Sequence, residues 1–154
     1  MFKVSRRFFV VAALSTLSAC AMFNPPADLD LRLTRTSAQG LYVVAMRPLV
    51  PAVAVNQIHP WEIRVLTAAG EPVSGAHIAF DGGMPQHGHG LPTQPRVTAE
   101  LGDGRYRLDG MKFSMTGWWE MKVKIEAAPG KDQVTFNTVL PMPAAAAPAV
   151  ADAR

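Results

Sequence analysis

Between Trp118 and Ile125 the chain alternates with period two. Trp119, Met121, Val123 and Ile125 fall on one face, and Trp118, Glu120, Lys122 and Lys124 on the other. Successive side chains of a strand point to opposite faces, so this run is a strand with one buried and one wet side. Such a strand needs a second apolar layer against it. The pattern recurs at Trp61, Ile63 and Val65, which alternate with Glu62, Arg64 and Leu66. Leu41–Met46, His77–Phe80, Arg96–Leu101, Tyr106–Leu108 and Val134–Leu140 are further short β-rich runs. Turn signals separate the runs: Pro48 and Pro51, Ala69-Gly70-Glu71-Pro72, and Gly102-Asp103-Gly104, the last a tight hairpin. No amphipathic helix follows the N-terminal leader. About seven short strands with Gly/Pro turns define an all-β, immunoglobulin-like β-sandwich.

The leader itself is not part of that fold. Lys3, Arg6 and Arg7 precede an apolar run from Phe8 to Leu14 and a small-residue stretch from Ser15 to Ala19. That is the layout of a secretory signal, and the apolar run is too short to span a bilayer. Leu17-Ser18-Ala19-Cys20 looks like a lipobox, in which Cys20 is lipidated and becomes the mature N-terminus. A plain signal peptide cleaved nearby is the competing reading. Ser5-Arg6-Arg7-Phe8-Phe9 also resembles a twin-arginine signal, so both export routes stay open. The chain then divides into a signal peptide (1–19), the lipidated Cys20 with a tether (20–38), the sandwich (39–141) and a low-complexity Ala/Pro tail (142–154). The expected place is the cell envelope, facing the periplasm, with the membrane as partner through the lipid on Cys20.

Charge follows the same division. The full chain has 15 basic and 12 acidic residues, and loss of Lys3, Arg6 and Arg7 with the leader leaves 12 of each. With no net charge and no basic cluster, a nucleic-acid partner is not supported. Cys20 is the only cysteine. Once lipidated it leaves a domain with neither thiol nor disulfide, so a metal site must be built from His, Met and carboxylates.

One segment carries such residues densely. Asp81 to Thr93 holds Met84, His87 and His89 among four glycines and two prolines. Glycine and proline at that density argue for a shaped loop rather than a helix interior or a central strand. Thioether sulfur with imidazole nitrogen suits copper, above all Cu(I). A second segment runs from Gly110 to Trp119. If it is extended, Met111, Phe113 and Met115 share a side and could face the loop. The candidate copper ligands are therefore Met84, His87, His89, Met111 and Met115, with Trp118 and Trp119 as shields for a soft cation. A plainer reading stands beside this one: methionines fill gaps in cores, and histidines of Gly-rich loops are solvated. Met121 belongs with the core, His59 reads as structural, and His77 as an exposed strand residue. Zinc on two imidazoles with Asp81 would suffice chemically, but catalytic zinc usually takes three firm protein ligands plus a second shell, and the methionines would then have no role. The chain has no nucleophile turn with Ser/His/Asp, no HExxH, no phosphate loop and no paired carboxylates, so it does not read as an enzyme.

Three stretches together carry a family resemblance: Gly75-Ala-His-Ile-Ala-Phe-Asp-Gly-Gly-Met-Pro-Gln-His-Gly-His-Gly90, Gly104-Arg-Tyr106, and Gly110-Met-Lys-Phe-Ser-Met-Thr-Gly-Trp-Trp-Glu120. They resemble the YtkA-like/FixH-like group over roughly Leu41 to Leu140. The resemblance implies a small exported or membrane-anchored β-sandwich, often associated with copper handling or cytochrome oxidase assembly. FixH-like members are typically held by a transmembrane helix, where this chain offers a lipobox. Two functions are thus expected. One is a cell-envelope lipoprotein that binds copper for delivery or resistance, with copper-handling envelope proteins as partners. The other is a metal-free interaction module whose loop and tryptophan pair contact a partner protein.

Overall fold

The computed structural model describes residues 24–141. These form nine strands and no helix: β1 (Thr34–Thr36), β2 (Tyr42–Pro48), β3 (Ile58–Thr67), β4 (His77–Met84), β5 (His89–Gly90), β6 (Arg96–Gly102), β7 (Arg105–Lys112), β8 (Gly117–Ala127) and β9 (Gly130–Leu140). One sheet has the order β1-β2-β3-β7-β6 and the other β5-β4-β8-β9, every pairing antiparallel. Within these, β2-β3-β7-β6 and β4-β8-β9 reproduce the two sheet orders of an immunoglobulin-type sandwich. All seven runs singled out by alternation and composition are strands. The two extra ones, β1 and β5, span three and two residues and are too short to carry a period.

β1 corrects the domain boundary. Thr34, Arg35 and Thr36 pair with Ala45, Val44 and Val43, so the sandwich begins inside the stretch 20–38 read as tether. Just before it, the Leu33 carbonyl accepts the Met46 amide at 2.8 Å. The leader, Cys20 and the tail from residue 142 lie outside the described residues.

The alternation places the core as expected. Trp119, Met121, Val123 and Ile125 are buried while Lys122, Lys124 and Glu126 are exposed. From the other sheet Tyr42, Val44, Met46, Trp61, Ile63, Val65, Tyr106 and Leu108 close over them. Removing this apolar area from water stabilises the sandwich by about 25 cal/mol per Å². Among the described residues the indole nitrogen of Trp61 is the buried side-chain polar atom left without a partner, whereas the Tyr106 hydroxyl donates to the Val73 carbonyl at 2.7 Å and accepts the Ala76 amide at 3.0 Å.

Two features at the end of the sandwich opposite Met84 fix strand register. In the β6–β7 hairpin, Asp103 and Gly104 both have positive φ (53° and 71°), the type I′ geometry that matches strand twist. A Cβ on Gly104 would overlap the Val65 carbonyl oxygen, and the Gly104 carbonyl accepts the Val65 amide at 2.8 Å. Asp132 is buried in β9 and ties the β1–β2 connection down. Its carboxylate accepts Ser37 Oγ at 2.6 Å, the Gln133 amide at 2.7 Å, the Gln39 amide at 3.1 Å and the Leu41 amide at 3.2 Å. Burial alone pushes this carboxyl up; the donors outweigh it and hold it below its ordinary value.

Two outcomes are expected. Gly104→Ala loses about 2 kcal/mol or more of unfolding free energy by urea titration, because αL strain and the overlap act together. The depressed pKa of Asp132 means its contribution is present above the ordinary carboxylate range and disappears as pH falls through it toward the folded value. The wild-type urea midpoint therefore drops on acidification in that window. Asp132→Asn is less stable at neutral pH by about 1–3 kcal/mol, and its midpoint changes less across the same window.

Candidate metal centre

The segment expected to be a loop from Asp81 is instead strand as far as Met84. β4 runs through Gly82 and Gly83 in the interior of its sheet, between β5 and β8. The reason is crowding by neighbouring backbone. A Cβ on Gly82 would stand 2.7 Å from the Glu120 carbonyl oxygen, and one on Gly83 would stand 2.7 Å from that of His89. Here glycine serves close approach of strands rather than a bend. The chain turns only at Pro85-Gln86-His87-Gly88. The amides of His87 and Gly88 donate to the Met84 carbonyl at 3.1 and 3.0 Å, and Gly88 takes φ +66°. Met84 then pairs with His89 and Gly83 with Gly90. The two histidines thus ride on a tight hairpin whose two ends are held by the sheet.

The five expected ligands separate into two groups. Met84 is 1% exposed, with its Cε packed under Gly117, and Met111 is 0% exposed in β7 opposite His59. Both thioethers fill the core. Met115 is 41% exposed. Its side is not the one shared by Met111 and Phe113, because β7 ends at Lys112: Phe113 is still buried, whereas Met115 lies in the connection to β8. His87 and His89 are exposed, with ring centroids 5.8 Å apart.

Trp119 joins the two segments. The His89 ring meets its indole edge-on at 5.9 Å, and the indole Nε1–H donates to the Met115 carbonyl at 3.1 Å. Behind it Phe113 stacks edge-on at 5.3 Å, and Trp61 meets Phe113 at 6.4 Å. A column of aromatic rings therefore runs from the core to the hairpin, each contact in the edge-to-face geometry that the ring quadrupole favours. Trp118 turns to the other face, donating Nε1–H to Asn137 Oδ1 at 3.0 Å, and does not line the site. His59 is buried, with Nε2 3.0 Å from both the amide nitrogen and the carbonyl oxygen of Ala54, and holds the β2–β3 loop. His77 is an exposed residue at the far end of β4.

An open cleft of about 250 Å³ lies against the hairpin, bordered by Asp81, Met84, His89, Glu120 and Lys122. Glu120 is engaged by Lys122 at 3.0 Å. Among the described residues no three His, Cys, Asp or Glu side chains gather as a cluster. The two segments meet at Trp119, whose ring packs against His89 and whose N–H holds the Met115 carbonyl. The larger cleft, about 430 Å³, is at the opposite end around His77, Lys124 and Lys131 and brings a single imidazole. Gln86 is a residue whose role the sequence does not announce: its Nε2 donates to the Asn24 carbonyl at 2.7 Å, binding the hairpin to the N-terminal segment.

Comparison with known proteins bears on the fold and the family. No curated protein matches the chain. Among solved structures, one described as the ZirS C-terminal domain covers 88% of this chain and 93% of its own, with 13% identity and a TM-score of 0.39. Nothing about function follows from a likeness at that distance. A family model described as YtkA-like matches residues 35–124, from β1 through most of β8, and takes in both the hairpin and the Met111–Trp119 segment. This all-β sandwich belongs to the YtkA-like family.

Proposed function

We propose that the domain binds Cu(I) at its hairpin end, with His87, His89 and Met115 as ligands, and passes it on within the cell envelope. The single observation that supports this reading most is the shared indole: His89 packs on Trp119, and Trp119 holds the Met115 carbonyl. A buried tryptophan so placed restricts both segments before any ion arrives, which lowers the ordering cost of binding. The set of five narrows accordingly. Met84 and Met111 serve as a polarizable, water-free floor in the core, and the three exposed donors take the ion. Three ligands at the protein surface suit transfer better than storage, because a partner's ligand can approach an open side. The anchor on Cys20 keeps the domain at the membrane, where copper exporters and oxidases take up their metal.

Competition titration of Cu(I) against a chelator tests the assignment residue by residue. The His87→Ala/His89→Ala double variant is expected to bind at least about a hundredfold more weakly, a loss of roughly 2.7 kcal/mol. Met115→Leu is expected to cost about tenfold. Met84→Leu conserves volume and leaves affinity within about twofold, with less than about 1.5 kcal/mol lost from stability. Gly83→Ala forces β5 away from β4 and weakens Cu(I) binding while the sandwich still unfolds cooperatively. Equal losses for Met84→Leu and Met115→Leu would contradict the surface site, and an unaltered double histidine variant would sink the copper reading altogether.

A further inference from the structure

Several independent features converge at the end of the sandwich where β4 finishes. The N-terminal segment enters there, because the Asn24 carbonyl is bonded to Gln86 in the hairpin. From that point the segment passes the edge of the second sheet, where the Asp30 carbonyl accepts Asn137 Nδ2 at 3.1 Å, and then forms β1. The Asp30 carboxylate pairs locally with Arg32 at 2.7 Å and lies 3.6 Å from Arg35 of β1. Cys20 lies four residues before Asn24. Four residues reach at most about 14 Å fully extended. A lipid on Cys20 therefore cannot be farther than that from the hairpin's own contact residue.

The same end carries exposed apolar side chains. Leu31, Ile58, Leu101 and Met115 are the exposed large hydrophobics among the described residues. Three of them sit at the hairpin end. Ile58 opens β3 opposite Lys112 and is 63% exposed; Met115 follows β7; Leu31, 51% exposed, precedes the Leu33–Met46 contact on the way into β1. Only Leu101 lies at the opposite end, beside the β6–β7 turn. Contiguous exposed apolar surface, unlike a side chain scattered singly, marks an interaction site.

We infer that the hairpin end rests on the phospholipid surface that carries the anchor, with Leu31 and Ile58 dipping into its interfacial layer. This rests on the reading of Cys20 as lipidated and is independent of copper. The consequence is directional. His87 and His89 open along the membrane rather than toward bulk periplasm, so a partner must present its own site at membrane level.

Fluorescence quenching by nitroxide-headgroup lipids, with the full lipidated chain in protein-free phosphatidylethanolamine/phosphatidylglycerol vesicles, tests the orientation. Lipidated Cys20 offers no free thiol, so Ile58→Cys and Leu101→Cys each take one environment-sensitive dye at an exposed position. β4 alone spans eight residues, about 25 Å, so the two dyes differ clearly in height. Quenching several-fold stronger at position 58 than at 101 is expected. Equal or reversed quenching overturns the inference. Quenching at neither position overturns it too, and points to a membrane protein as the occupant of the apolar end. Mass measurement of the N-terminal peptide from the same samples reports the lipid. A bare Cys20 removes the anchor and the orientation together, whereas a lipidated Cys20 with equal quenching removes the orientation alone.

Discussion

Trp119 is fully buried, and its indole meets Phe113 on the core side, His89 on the hairpin side and the Met115 carbonyl through its one N–H. Burying an indole of 150–250 Å² contributes roughly 4–6 kcal/mol by area, and losing such a side chain from a core costs about 3–5 kcal/mol. That energy is available to hold the surrounding segments only because strand alternation turns Trp119 inward and Trp118 outward. The adjacent tryptophans do different work for that reason. One organises the site, and the other fastens β8 to Asn137 on the outer face.

The hairpin depends on the same packing from the opposite direction. Gly82 and Gly83 leave no side chains between β4 and its neighbours, so β5 and β8 approach until carbonyl oxygens stand where a Cβ would be. Met84 then drops into the core beneath Gly117, and the backbone reverses within four residues. His87 and His89 consequently project from a strand pair rather than from a slack loop. Loops on a rigid scaffold are where binding chemistry concentrates, and this one has its scaffold built into both ends. It presents two exposed imidazoles whose ring centroids lie 5.8 Å apart.

How much of this could be read from the amino-acid sequence depends on the range of the cause. Period-two alternation is local, so β8 and β3 and the buried faces of Trp119, Met121, Ile63 and Val65 were legible residue by residue. The Asp103-Gly104 turn was legible for the same reason: its dihedrals demand those residues. Gly82-Gly83 misled, because local statistics read two glycines as a bend, whereas their cause is the backbone of Glu120 and His89 across the sheet. Met115 misled differently. Its spacing from Met111 was right for a shared face, but the strand stops at Lys112, and no residue type marks that stop. β1 and β5 are too short for any period, and the bond between Gln86 and Asn24 joins residues 62 apart. Ends of strands and contacts of long range were the parts that needed three dimensions.

The fold and the family stand on the sandwich and on the match over residues 35–124; the copper site is the reading that turns them into a function. X-ray absorption spectroscopy of the Cu(I)-loaded domain tests it most directly, since the first coordination shell reports nitrogen and sulfur separately. The account predicts a low-coordinate shell of mixed nitrogen and sulfur, whose sulfur contribution vanishes in Met115→Leu and persists in Met84→Leu and Met111→Leu. A shell without sulfur, or one whose sulfur survives Met115→Leu, would contradict it.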